Sequence, residues 1–597
     1  MLTCHGGWLH VCSEAVRKGD STMIVLGIND GHNAAACLYA DGEIQLALQE
    51  ERLRRVKNWS GMPVQTIAWI LKSAGLSPNQ IDRVALNGYH AANPMTREQL
   101  MSEYEHINDF DVTLHRKLRR MERRLASSLG LLEGVRQRKH SERIRELVAM
   151  GFSPERIGVV EHHTAHASAA YYGLGNFEDD VLVLTADGSG DGICATVSIG
   201  RKGVLERLHE VPMAHSIGNI YAMVTFLMGM VPLEHEYKLM GLAPYADPKG
   251  AGLVCDALKK LIRFDSSVPL GWVKDESCPE TYCSYRFFRD MFERKRFDWV
   301  AGGLQRFTES VLTQWVRNCV RHTGISRVAL GGGIFMNVKA NKVIMELPEV
   351  TQMFVYPSCG DETNAMGAAY WTSAQRGGVG QMKPLRQVYW GPEYTDSEVE
   401  QTLKDYKFKG QVRYQRLPNI EQAVAQLLAD GQVVARHCGR EEFGARSLGN
   451  RAVLGNPKDS RTIREINEAV KSRDFWMPFA TSVLAERASD YLVNPKQVSA
   501  PYMILTFDTT DRRGDIMAGT HPYDHSVRPQ VVEHSWNPRY HTLIKEFEKI
   551  TGIGAVLNTS LNLHGYPITS HPADSLEVLD RSGLKNLAIE NWIVEKQ

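Results

Sequence analysis

The sequence predicts an α/β protein in which one supersecondary unit is used twice, and two stretches carry that prediction. From Met23 to Arg52 the chain reads as a strand (Ile24 to Ile28), a polar glycine turn (Asn29-Asp30-Gly31-His32-Asn33), a strand (Ala35 to Tyr39), an Asp41-Gly42 hairpin turn and a third strand (Ile44 to Leu48). The same grammar returns at Val181: a strand to Ala186, a turn from Asp187-Gly188, a strand from Ile193 to Ile199, a glycine turn at Gly200 to Gly203, and a strand from Val204 to Val211. This repeat is the signature of the duplicated two-lobed nucleotide-binding fold shared by actin, the heat-shock ATPases and the sugar kinases.

Each element in turn fits that frame. Pro63 to Gly75 reads as an amphipathic helix and Val84 to Leu86 as a short strand. The Arg-rich run from His115 to Met150 reads as a solvated insertion helix, with contact to an anionic substrate as the competing reading. If Thr164 to Ala170 is helical, His162 and His166 lie four apart on one face, the spacing with which two imidazoles grip one metal ion. Asp187 stands at a strand end. Asp361, at another strand-to-helix turn, serves equally as a helix N-cap or as a metal ligand. Glu236 and Lys238 read either as surface charges or as part of a site. Gly331-Gly332-Gly333 and Asn337 follow a buried strand, where glycines let a backbone approach a phosphorylated ligand and a helix start offers free amides.

A polar helix from Thr395 to Tyr406 is expected to close the first large unit, which puts a boundary near residue 405: an extension over 1–22, a first domain over 23–405 and a second over 406–597. In the second, Gly439 to Arg451 mixes glycines with guanidinium groups, a combination suited to phosphate or carboxylate. Lys471 and Arg473 are expected to alternate onto one face of a strand, and Ser560 and Asn562 onto the same cleft from a neighbouring strand, with Arg528 adding a further cation.

Composition bounds the function. With 597 residues at least two cores are expected. Lys plus Arg and Asp plus Glu each number 69, so no net charge draws the chain toward nucleic acid or an anionic membrane, and no nucleic-acid partner is expected. The most apolar late run, Ile220 to Leu233, is broken by Gly229 and Pro232 and is too short for membrane insertion. Ten cysteines without a CxxC pair read as reduced thiols of a cytoplasmic protein, and the first 22 residues lack the apolar core of a signal peptide.

The ordered motifs HHxxHASAA (His162 to Ala170), ADGSGDG (Ala186 to Gly192), EYKLMGLAPY (Glu236 to Tyr245), GGGxxxN (Gly331 to Asn337), GDETNAMGAA (Gly360 to Ala369), EFGARSLGNR (Glu442 to Arg451), KSRDFWMPFA (Lys471 to Ala480), VRPQ (Val527 to Gln530) and NTSLN (Asn558 to Asn562) resemble the O-carbamoyltransferases of antibiotic tailoring and nodulation-factor synthesis. The resemblance implies a first domain similar to the transferase that makes threonylcarbamoyl-adenosine in tRNA, fused to a YrdC-like α/β domain. The YrdC-like domain would convert carbamoyl phosphate and ATP, with magnesium, into carbamoyl-adenylate. The first domain would then pass the carbamoyl group to a hydroxyl of a sugar-type acceptor. Two separate pockets sharing one activated intermediate are expected, and a homodimer is left open.

Carried over by residue, His162, His166, Asp187 and Asp361 would hold a divalent metal, iron(II) being the implied ion, and His32 would be the general base. Gly332, Gly333 and Asn337 would line the first nucleotide pocket. Lys471 and Arg473 would be catalytic in the second, with Arg446, Arg528, Ser560 and Asn562 binding ATP and carbamoyl phosphate. The chain departs from the family pattern at Asn33, Ala445, Met477 and Thr481, and the loss of a cation at Met477 puts its kinetics in question. A sugar kinase of the same fold is the competing enzyme reading, and a nucleotide-gated module without catalysis the competing reading of another class.

Overall fold

The computed structural model describes residues 23–90, 97–109, 141–279, 284–471 and 473–597. The N-terminal extension and most of the Arg-rich run fall outside these residues, and only its end, residues 141–149, is described, as helix. Strands β1 (Val25–Asn29), β2 (Ala35–Ala40), β3 (Glu43–Gln49), β4 (Arg83–Asn87) and β5 (Ile157–Val160) form a sheet in the order β3-β2-β1-β4-β5. β1 pairs antiparallel with β2 and parallel with β4. Strands β6 (Val181–Gly190), β7 (Ile193–Arg201), β8 (Val204–Pro212), β9 (Arg327–Gly331) and β10 (Gln352–Val355) repeat the order as β8-β7-β6-β9-β10 with the same senses of pairing. The chain therefore uses one five-stranded pattern twice, which is the duplicated actin-like and sugar-kinase-like architecture the sequence predicts.

Helix α1 (His162–Leu174) and helix α2 (Asn364–Ala374) lie between the two sheets, α2 packing on α1 and on β1, β2 and β4. Small residues permit this. A Cβ on Gly367 would stand 1.9 Å from the carbonyl oxygen of Ala165, and one on Gly27 would stand 2.0 Å from that of Ala365. The close approach brings the turn just ahead of α2, which carries Asp361, against the first turn of α1.

The second unit is an eight-stranded mixed sheet, built from β11 (Val412–Arg416), β12 (Val434–His437), β13 (Arg451–Gly455), β14 (Ala480–Leu484), β15 (Pro529–Val532), β16 (Ala555–Ser560), β17 (Asn586–Ile589) and β18 (Trp592–Lys596). Their order is β11-β18-β17-β12-β13-β16-β14-β15. One expectation is corrected here. Helix α3 (Asp396–Asp405), started by the Thr395/Glu398 capping box, does not close the first unit. Its Val399 and Leu403 are buried with Leu576 and Leu579 of helix α4 (Pro572–Arg581), and Asp396 accepts hydrogen bonds from Arg416 and Asn591. The apolar stripe of α3 finds its partner downstream, so the boundary precedes this helix rather than following it.

The two units meet through buried charge. Arg52, 1% exposed, sits 3.2 Å from the fully buried Glu441 and donates to the carbonyl of Gly444 at 2.6 Å. Burial lifts Glu441 to about 7, against the pull of Arg52 and Arg451. Arg52→Ala is expected to destabilise docking of the units by about 3 kcal/mol, the low end for a broken buried pair, because Glu441 can protonate. Glu441's folded pKa already lies above its unfolded value, so its stabilisation is complete below the unfolded value and is lost as pH rises to about 7. Without Arg52 that loss continues to higher pH, so denaturant midpoints of variant and parent should diverge further above pH 7.

Candidate active site

The first turn of α1 and the end of β6 build a four-donor cluster. Glu161 caps α1 by accepting from the backbone N–H groups of His163 and Thr164, and so fixes where the first turn begins. His162 Nε2 and His166 Nε2 then lie 3.2 Å apart and 3.2 and 3.3 Å from Asp187 Oδ2. Asp361 Oδ1 lies 3.5 Å from both imidazoles. Asp361 caps no helix: Gly360 precedes its short 3₁₀ turn and makes no side-chain capping bond. One donor atom from each of the four residues lies within 4.8 Å of every other. Four N and O donors about 2.0–2.2 Å from a common centre would be separated by about 3.3–3.6 Å in a tetrahedron, so the set fits one divalent cation. Burial alone would make His166 less basic, but its hydrogen bonds to Asp187 and Asp361 outweigh this and raise it to about 9. Burial likewise works against the Asp187 carboxylate, yet the two imidazoles hold it well below its usual range. The pocket thus favours positive charge among these donors. His163, between the two ligands in sequence, is turned away to Thr185 and the carbonyl of Ile193.

The cluster's backing is glycine. Gly332, at φ +102°, lies where a Cβ would meet the Ala186 carbonyl oxygen at 2.4 Å, and one on Gly333 would stand 2.8 Å from Asp187 Oδ1. Gly333 and Asn337 face the open space, whereas Gly332 is pressed onto β6 behind it. Asn337 caps the helix Val338–Met345 and exchanges hydrogen bonds with Gln305.

The second constellation is a cluster of buried cations. Lys471 does not lie on a strand: it closes a π-helical turn (Asn467–Lys471), and its ammonium donates to Ser560 Oγ at 3.1 Å and to Asn562 Oδ1 at 2.5 Å. Ser560 ends β16 and Asn562 lies just beyond it. Arg473 donates to Thr559 Oγ1 and packs over the ring of Phe479. Burial, then Arg446 and Arg473, hold Arg528 well below its usual basicity, and burial, then Arg473 and Lys57, do the same to Lys471. Among the described residues no salt bridge joins a carboxylate to Lys471, Arg473, Arg446 or Arg528. Four crowded cations left without anionic partners are arranged for a ligand that carries several negative charges.

The loop bearing Arg446 has an organiser that sequence reading missed. Glu442 Oε1 accepts from the backbone N–H groups of Leu448, Asn450 and Arg451 and from Ser447 Oγ. A buried carboxylate that folds a loop onto itself through backbone donors has no spacing signature.

A single cavity of about 1620 Å³ joins both constellations. His32, His162, Asp187 and Asp361 border it from the first unit, and Arg446, Lys471, Arg473, Arg528, Ser560 and Asn562 from the second. This corrects the expectation of two separate pockets, because the units pack with their open faces together. Glu236 and Lys238 also line the cavity rather than the outer surface: burial pushes Glu236 up to about 7, and Lys238 pairs with Asp474 of the second unit at 3.0 Å.

A duplicated five-stranded α/β unit is thus joined to a second α/β unit, with a metal-ready cluster and a cation cluster sharing one chamber. The chain belongs to the carbamoyltransferase family: residues 24–370 match the model of the carbamoyltransferase N-terminus and residues 425–596 that of the carbamoyltransferase C-terminus. It is 29% identical to the nodulation protein NolNO of Sinorhizobium fredii, over 95% of this chain and 79% of that one. It is 24% identical to the 3'-hydroxymethylcephem-O-carbamoyltransferase of Amycolatopsis lactamdurans, over 96% of this chain and 99% of that one. It is a carbamoyltransferase, and among its described residues no helix is long and apolar enough to cross a membrane.

Proposed function

We propose that the protein is an ATP-dependent O-carbamoyltransferase that makes carbamoyl-adenylate from carbamoyl phosphate and ATP and passes the carbamoyl group to a hydroxyl of a sugar-type acceptor. The observation that carries this reading is the pairing, across one chamber, of an unpartnered cation cluster with a His₂Asp₂ donor set. Lys471, Arg473, Arg446 and Arg528 hold the triphosphate and carbamoyl phosphate, and Ser560 and Asn562 orient the Lys471 ammonium. Arg473, packed over Phe479, has a fixed direction, which compensates for the cation absent at Met477. Gly333 and Asn337 border the nucleotide's place in the first unit.

His162, His166, Asp187 and Asp361 hold the divalent ion, which we take as iron(II) although the donor set also suits manganese and zinc. When bound, that ion supplies Lewis-acid stabilisation of adenylate phosphate oxygens as AMP departs. The acceptor proton goes to an imidazole on the chamber wall, and His32, in the turn between β1 and β2, is the candidate the family resemblance names. The cytoplasm, where carbamoyl phosphate and ATP are both present, is the compartment this reading requires.

Incubation with carbamoyl phosphate, MgATP, iron(II) and candidate glycans, read by mass spectrometry, should show a carbamoyl gain on the acceptor together with AMP, the pyrophosphate released from ATP and the phosphate released from carbamoyl phosphate. ADP as the nucleotide product would instead establish a sugar kinase. By mass action, MgATP at a hundred times its Kd should stabilise the protein by about 2.7 kcal/mol. Thermal denaturation with and without nucleotide measures this, and Lys471→Ala should remove most of the shift.

A further inference from the structure

The chamber wall carries another imidazole besides His32 and the metal-ready pair, and the chain orients it better than His32. His90 follows β4, and its Nδ1 lies 2.8 Å from Asp191 Oδ1. Asp191, in the turn after β6, is 4% exposed at its side chain, whereas the His90 ring is 42% exposed, and both residues border the chamber. Asp191 is held rigidly. Its oxygens also accept the backbone N–H groups of Tyr89 and His90 at 3.0 Å and that of His162 at 2.9 Å.

A carboxylate that only accepts forces His90 to donate through Nδ1, which leaves the Nε2 lone pair free. The same carboxylate accepts from the backbone of the first residue of α1, the helix that carries His162 and His166, so Asp191 ties the imidazole to the element that bears the metal-ready cluster. Among the described residues no carboxylate bonds the ring of His32; the turn is held through its backbone carbonyl, which accepts from Asn29.

We propose that His90, oriented by Asp191, is the general base of carbamoyl transfer, a role that rests on the carbamoyl-adenylate reading above. In this step the acceptor oxygen bonds to the carbamoyl carbon. The bond from that carbon to the adenylate phosphate oxygen breaks with its electron pair leaving on AMP, and the hydroxyl proton passes to His90 Nε2. An imidazole whose other nitrogen donates to a buried carboxylate is held in one tautomer and one direction, the arrangement that makes proton transfer efficient.

His90→Ala removes the ring but keeps both backbone bonds from residues 89 and 90 to Asp191, so the loop stays in place. The test compares the full-length parent, His90→Ala, His90→Gln and His32→Ala, with glycerol and water as the hydroxyl probes. Carbamoyl-phosphate-dependent ATP–pyrophosphate exchange reads the first half-reaction, and AMP release reads the second. In His90→Ala and His90→Gln exchange should persist, while AMP release falls by about 10²–10⁴-fold. Free imidazole should restore much of it in His90→Ala, since the site is open to solvent, and should leave His32→Ala unchanged. AMP release at the parental rate in His90→Ala, or imidazole rescue confined to His32→Ala, would overturn the assignment. If the parent itself shows no carbamoyl-phosphate-dependent exchange, the carbamoyl-adenylate reading fails instead.

Discussion

His162→Ala should lower carbamoyl transfer by about 10²–10³-fold or more while leaving carbamoyl-phosphate-dependent ATP–pyrophosphate exchange near the parental rate. The division follows from placement. His162 borders the chamber at the first turn of α1, with its Nε2 within 3.5 Å of His166, Asp187 and Asp361, whereas the cations that would hold the triphosphate belong to the second unit. Removing this imidazole leaves three donors and an excess of carboxylate. Elemental analysis of the purified variant should therefore show loss of the bound divalent ion together with loss of transfer. Both rings are buried, but His162 borders the chamber while His166 is fully enclosed, so truncation is expected to cost less structure at His162 than at His166, and thermal denaturation of the variant measures that cost. Pyrophosphate exchange that falls as far as transfer would refute the assignment of the two half-reactions to different constellations.

The duplicated fold was legible because each copy announces itself by local chemistry: β-branched strands, an Asp-Gly hairpin turn and glycine turns at matching positions. The metal-ready cluster was half legible. His162 and His166 are four apart on one helix, a relation that periodicity reveals, and Asp187, read from sequence as a strand end, lies within the irregular last part of β6, which continues to Gly190. Asp361 was ambiguous, since a carboxylate ahead of a helix reads as a cap until the packing of α2 on α1 turns it toward the imidazoles.

What stayed hidden depends on distant packing. The stripe of α3 looks the same whichever core it meets, so the boundary was set one helix too late. Two sets of site residues in different units give no sign in sequence that they face one chamber. The His90–Asp191 pair joins positions 101 apart in the chain, and Arg143, which binds Asp30 and the carbonyls of Asn87 and Gly88, was lost in the Arg-rich run. Glu442 stayed hidden for another reason: its partners lie close by in the chain but are mostly backbone N–H groups, which leave no residue-type pattern.

Lys471→Ala should abolish the first half-reaction, lowering pyrophosphate exchange by about 10²–10³-fold and carrying transfer down with it. The ammonium is buried at the end of a π-helical turn and aimed by Ser560 Oγ and Asn562 Oδ1, so it is a directed charge rather than a mobile surface lysine. Burial, then Arg473 and Lys57, hold its pKa well below the ordinary value. A bound polyphosphate reverses that balance, because its negative oxygens favour the protonated amine. Nucleotide binding is then linked to proton uptake, and affinity should fall as pH rises above the pKa of Lys471 in the free protein. Calorimetric titration with MgATP in buffers of different ionisation enthalpy should report that uptake in the parent, and the uptake should disappear in Lys471→Ala and in Lys471→Met. Uptake that persists in both variants would assign the proton to another group of the cluster and remove Lys471 from the centre of adenylate formation.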